Sequence, residues 1–145
     1  MNYINFFFEE TELFDFPEEL IKNRIFNIIR DISKSLGEIS IIFCSDEYLI
    51  KLNEKYLNHD YYTDIIAFNY GEDDSISGDL FISVDRVREN AVKFKVPFIN
   101  EITRVVFHGV LHLTGFEDNN PEEKRIMRSR EDHYLDGLDL NNFYR

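Results

Sequence analysis

Between Ile102 and Leu113 the residues Ile102, Val105, Val106, Gly109, Val110 and Leu113 recur three and four apart, which demands a helix with one wide buried face. Such a face must be covered, so the rest of the chain has to supply a sheet or further helices against it. Asn100 is placed to cap this helix, and Gly115 to stop it.

The remaining sequence alternates short apolar runs with helical stripes. Ile4, Phe6 and Phe8 alternate with their neighbours, as in a half-buried strand, and Ile39 to Cys44 is a short β-branched run. Asp64 to Tyr70 and Gly78 to Val84 read as two more strands, joined by the turn-rich Gly71-Glu72-Asp73-Asp74-Ser75 into a hairpin. Helices are expected from Pro17 to before Gly37, and after Ser45-Asp46 with Leu49, Leu52 and Tyr56 inward. Two more should run over Asp85 to Lys95, and from Pro121 to Leu135 with Ile126, Met127 and Tyr134 inward. The order implies an α+β fold in which about five helices pack on one small mixed sheet of about four strands. At 145 residues the expectation is a single domain spanning 1–145, large enough to bury roughly two-thirds of its unfolded surface.

The net charge of -12 repels polyanions at long range, so contact with nucleic acid would have to come from local basic clusters. The two available are Arg86, Arg88, Lys93, Lys95 and Arg104, and then Lys124, Arg125, Arg128 and Arg130. The single cysteine, Cys44, sits in an apolar run and reads as a small buried hydrophobe. No stretch reaches the ~18 apolar residues of a membrane span, and the start Met-Asn-Tyr-Ile-Asn lacks a basic leader region. A cytoplasmic protein is expected.

His108 and His112 lie four apart on the expected helix, so both imidazoles leave the same side, one turn apart. Gly115 can then take a positive φ and turn the chain back, delivering Glu117 and Asp118 to the open side. Two histidines, a glycine turn and a ligand six residues after the second histidine match the spacing of H-x-x-x-H-x-x-G-x-x-H zinc sites, with Asp118 in the last place. A pair of histidines four apart also occurs on ordinary amphipathic helices; here the turn and the carboxylate favour a metal. The expected ion is zinc, one per chain, on His108, His112 and Asp118, with the fourth position open to a water whose pKa zinc lowers to roughly 7. Glu117 or His133 are alternative third ligands, though His133 lies beyond a proline-initiated helix and reads as a surface residue. Gly109 stands where H-E-x-x-H peptidases carry their general-base glutamate, which disfavours peptide hydrolysis.

The run His108-Gly109-Val110-Leu111-His112-Leu113-Thr114-Gly115-Phe116-Glu117-Asp118 resembles the H-G-x-L-H-L-x-G-[YF]-D-H signature of the YbeY family of bacterial endoribonucleases. Leu52-Asn53 with Tyr56, Thr63-Asp64-Ile65-Ile66-Ala67-Phe68, and Gly78-Asp79-Leu80-Phe81-Ile82-Ser83 are similar to further segments of that family, in the same order. The resemblance implies zinc-aided cleavage of single-stranded RNA, maturation of the 3′ end of the small-subunit ribosomal RNA, and ribosome quality control. It implies ribosomal RNA and the small ribosomal subunit as partners, and neither DNA nor a membrane. Thr63 and Asp64 become candidates to line the cleft, together with Glu117. Two positions depart from the family pattern: Asp118 replaces its third histidine, and Leu57 replaces an arginine that many members carry, so no role of that arginine carries over. Two rival readings stay open, a metal-dependent hydrolase of a non-RNA substrate and a ribosome-associated binding module with a degenerate site.

Overall fold

A strand that must return through a helix pairs in parallel, and this governs the first half of the chain. In a computed structural model, which describes residues 3–57 and 63–140, β1 (Ile4–Glu9) is followed by α1 (Glu18–Asp31) and β2 (Ser35–Cys44), and β1 and β2 pair in parallel. Next come α2 (Asp46–Leu57), β3 (Ile65–Asn69) and β4 (Ser75–Ser83), the last two an antiparallel hairpin. Finally α3 (Val84–Phe94), α4 (Phe98–Leu113) and α5 (Pro121–Leu135) follow one another. The sheet order is β1-β2-β4-β3, with β2 and β4 parallel, so the described residues form one mixed four-stranded sheet and five helices. This is the expected α+β architecture.

The core lies between one face of the sheet and helices α1 and α4. Ile39, Ile41 and Phe43 on β2, Leu80 and Ile82 on β4, and Ile102, Val106, Phe107 and Val110 on α4 are all fully buried. Phe6, Phe8, Phe14 and Phe16 surround Phe43, Phe14 and Phe16 edge to face, Phe6 stacked and Phe8 tilted, which gathers these rings into one cluster. Alternate strand residues point the other way, and there Cys44 and Ile66 meet Leu49 of α2.

Some boundaries differ from the sequence reading. β2 begins at Ser35, before the apolar run, through an irregular register between Leu36 and Ile39. Helix α4 starts after Pro97 rather than at an Asn100 cap. Lys95 adopts φ 58° and ends α3, and Pro97, extended at φ −62° and ψ 146°, accepts the first α4 hydrogen bond from Glu101 N. Asn100 thereby falls inside the first turn. On α2 Tyr56 is exposed, and on α5 Ile126 is exposed while Glu131 takes its expected place on the buried side. The polar loop Asn58-His59-Asp60, near which the sequence ends the second helix, lies outside the described residues. No helix among the described residues is long and apolar enough to cross a membrane.

Candidate metal centre

Arg104, His108 and His112 stand one turn apart on a single flank of α4, while Val106, Phe107 and Val110 turn into the core. The helix ends in a Schellman turn: Gly115 has φ 110°, Phe116 N donates to Leu111 O at 3.1 Å, and Gly115 N donates to His112 O at 3.0 Å. Five residues later α5 opens with Asn120 Oδ1 accepting from Glu123 N at 2.8 Å, while Asn119 N donates to Glu123 Oε1 at 3.1 Å. The loop that carries Asp118 is therefore fixed at both ends. Each side-chain cap of this kind contributes about 1 kcal/mol.

That loop brings Asp118 between the two imidazoles. His108 Nε2 lies 3.3 Å from Asp118 Oδ2, and His112 Nε2 lies 3.5 Å from Asp118 Oδ1. The imidazole rings are 4.8 Å apart between centroids. One ligand atom from each of the three residues falls within 4.8 Å of the others, and no other such group occurs among the described residues.

A residue that the sequence reading did not single out completes the arrangement. Glu131 of α5, only 4% exposed, places Oε2 2.7 Å from His108 Nδ1. Arg104 donates to the other oxygen of Glu131 at 3.0 Å and to Asp132 at 2.6 Å. The one available signal was position: Met127, Glu131 and Tyr134 form the buried stripe of α5, and a carboxylate on such a stripe requires a partner.

The charges around His108 favour a cation at its Nε2. Burial alone would push the imidazole's pKa down, but the hydrogen bond and charge of Glu131, with Asp118 and Asp64 behind, hold it above its usual value. Burial raises the Asp64 carboxyl, against the pull of His108. With the Nδ1–H donated to Glu131, the Nε2 lone pair faces a carboxylate oxygen of Asp118, a repulsive contact that a proton or a metal between them relieves.

The donor set fits a divalent metal. Zinc bonds of about 2.0–2.1 Å would place donor atoms about 3.3–3.4 Å apart, and each imidazole comes near that distance from one Asp118 oxygen, His108 from Oδ2 and His112 from Oδ1. Two imidazoles and a carboxylate suit zinc among other borderline cations. A carboxylate accepting the distal N–H of a ligating histidine is the usual outer support of such sites.

Of the remaining sequence candidates, Asp64 lines the cleft of about 340 Å³ that also holds His108, Asp118 and Glu131. Thr63 donates to Ile65 O at 3.4 Å and does not line this cleft. Glu117 is exposed and does not line it, and His133 is exposed on α5. The family model for Endoribonuclease YbeY matches residues 7–139. This chain belongs to the YbeY family.

Its relatives include the Endoribonuclease YbeY of Flavobacterium psychrophilum, 50% identical over 78% of this chain and 81% of that protein. The same-named proteins of Phocaeicola vulgatus and Karelsulcia muelleri are 54% and 44% identical, covering 70% and 91% of this chain and 74% and 93% of theirs. The solution structure of TM1509 from Thermotoga maritima superposes with a TM-score of 0.61 at 27% identity, covering 90% of this chain and 86% of that one. Against the YbeY signature, the third histidine position is held by Asp118, whose two oxygens each approach one imidazole. The YbeY glycine at Gly109 has a packing role, because a Cβ there would fall 2.7 Å from Ile65 Cδ1.

The cleft walls are mixed in character. Lys124 and Arg128 of α5 and the half-exposed ring of Phe94 border it. Most other members of the two basic clusters are engaged elsewhere, Arg86 with Asp46 and Glu89, Arg125 with Glu122, and Arg88 over the Phe98 ring.

Proposed function

We propose that this chain is a zinc-dependent endoribonuclease that cuts single-stranded ribosomal RNA, acting in maturation of the small-subunit 3′ end and in ribosome quality control. The observation that carries this reading is the convergence of His108, His112 and Asp118 on one point at the mouth of a cleft, in a chain of the YbeY family. An ion held by these three residues would supply Lewis acidity toward the attacking oxygen and the charged phosphate.

The protein's own groups divide the remaining work. His108, His112 and Asp118 would hold the ion, and His108 and Asp118 of these line the cleft. Asp64, whose burial favours its protonated form, is a cleft carboxyl able to hold or release a proton, and Glu101 in the same cleft is raised by burial too. Lys124 and Arg128 attract the RNA backbone locally, against a chain whose net charge is -12. The place of action that follows from such a substrate is the cytoplasm with its ribosomes.

The test is cleavage of a single-stranded precursor of the small-subunit 3′ end by protein of measured zinc content, with analysis of the new ends. A 2′,3′-cyclic phosphate identifies the ribose hydroxyl as nucleophile, and a 3′-hydroxyl opposite a 5′-phosphate identifies water. Stoichiometric zinc with intact RNA and cleaved peptides would overturn the reading.

A further inference from the structure

We propose that Glu131, held by Arg104, is a positioning residue of the metal centre: it fixes the proton of His108 on Nδ1 and so keeps Nε2 open toward the ion. The inference rests on the metal reading of the site given above and adds residues that the ligand motif does not contain.

The geometry leaves His108 little choice. A neutral imidazole has one N–H and one lone pair, and an ionised carboxylate can only accept. With Glu131 Oε2 2.7 Å from Nδ1, the proton belongs on Nδ1 and the lone pair on Nε2, the atom that faces Asp118. In the other tautomer an N–H would point at the metal position, and two lone pairs would face each other across the Glu131 contact.

Glu131 is held firmly enough to impose this. Its side chain is 5% exposed, and that of Arg104 is 17% exposed. The Arg104 guanidinium bridges Glu131 Oε1 at 3.0 Å and Asp132 Oδ1 at 2.6 Å, so the carboxylate cannot rotate away without breaking a charged hydrogen bond. Arg104 and His108 are one turn apart on α4, and Glu131 and Asp132 are neighbours on α5. One clamp thus joins the two helices whose connecting loop carries Asp118, and orients the first histidine.

The experiment compares zinc affinity, by competition with a chelating dye, in the full chain and in Glu131→Gln, with Glu122→Gln as the control on the exposed side of the same helix. A side-chain amide in place of the Glu131 carboxylate can meet the ring as donor or acceptor, so it no longer dictates the proton. The expected result is affinity weakened about 10–100-fold by Glu131→Gln, as for outer carboxylates of metal-bound histidines, and unchanged by Glu122→Gln. A clamp that served only helix docking would lower the melting temperature and leave zinc affinity within about twofold, well short of that range, which would overturn the proposal.

A second readout needs no variant. Nitrogen-15 spectra of the metal-free chain, at a pH where the imidazole is neutral, must show His108 protonated on Nδ1; protonation on Nε2 overturns the proposal even if Glu131→Gln fails to fold. A parent chain that binds no zinc sinks the metal reading, while the same spectra still decide whether Glu131 sets the proton.

Discussion

Gly109 and Leu80 are packed so closely that a Cβ on Gly109 would lie 2.9 Å from Leu80 Cδ1 and 3.0 Å from Cδ2. The position after the first histidine therefore faces the sheet, whereas His108 lines the cleft and His112 stands one turn further along the same flank. A glutamate at this place would enter the core and could not serve as a base, whatever the motif suggests.

For Gly109→Ala two effects compete. Alanine gains about 1 kcal/mol over glycine within a helix. The added carbon crowds Leu80, which is fully buried, and overpacking of this kind costs roughly 1–3 kcal/mol. The crowding should win, giving a net loss of about 1 kcal/mol in urea unfolding, with zinc stoichiometry retained. An alanine variant more stable than the parent would contradict the packing role.

Asp118 stands where the family signature has its third histidine, beside both imidazoles. Asp118→Ala should weaken zinc binding by more than the roughly 10–100-fold typical of outer-shell changes, since a direct donor is lost. Asp118→His should keep one zinc per chain and remove a negative charge from beside the ion, which strengthens its polarising power. The acidic limb of the cleavage pH profile should then move to lower pH than in the parent. An unmoved limb would mean that the carboxylate does not belong to the ion's shell.

Much of this site was legible in the sequence because it is local. His108, His112, Gly115 and Asp118 span eleven residues, and helical geometry with one glycine turn is enough to gather them. Helix α5 was legible from Pro121 to Leu135 for a similar reason, since proline at the start fixes its first turn. Glu131 was not, because its partner is 23 residues away and an acid in a polar helix ordinarily reads as solvated. The Asn100 cap failed for a local reason: Lys95 already ends α3 in the left-handed region, and Pro97 leaves only one way on, straight into the next helix.

Cys44 offers a test of the core on the far side of the sheet. Burial, with the charges of Asp85 and Asp46 behind it, pushes the thiol up to about 12. A pKa raised this far leaves almost no thiolate at about pH 8, and the sulfur, fully buried, lies 3.4 Å from Ile82 O. Iodoacetamide at about pH 8 should leave the folded chain unlabelled and label it fully in denaturant, as read by mass spectrometry. Rapid labelling of the native protein would mean that the packing of Leu49 and Ile66 over Cys44 opens readily.

A chain with a net charge of -12 must hold RNA through local positive charge. Lys124 and Arg128 are one turn apart on α5 and border the cleft, and among the described residues neither joins a salt bridge, unlike Arg125 with Glu122. They are thus placed to take up phosphates as the strand passes the metal centre. Each phosphate neutralised on single-stranded RNA contributes about 0.7 to the slope of log affinity against log salt. The double substitution Lys124→Ala with Arg128→Ala should therefore flatten that slope by about 1.4, weaken RNA binding most at low salt, and leave zinc content unchanged. Titrating a fluorescent single-stranded RNA over a range of salt measures this directly. An unchanged slope would move the RNA track to another face of the molecule, since no other pair of basic residues on α5 borders the cleft among the described residues.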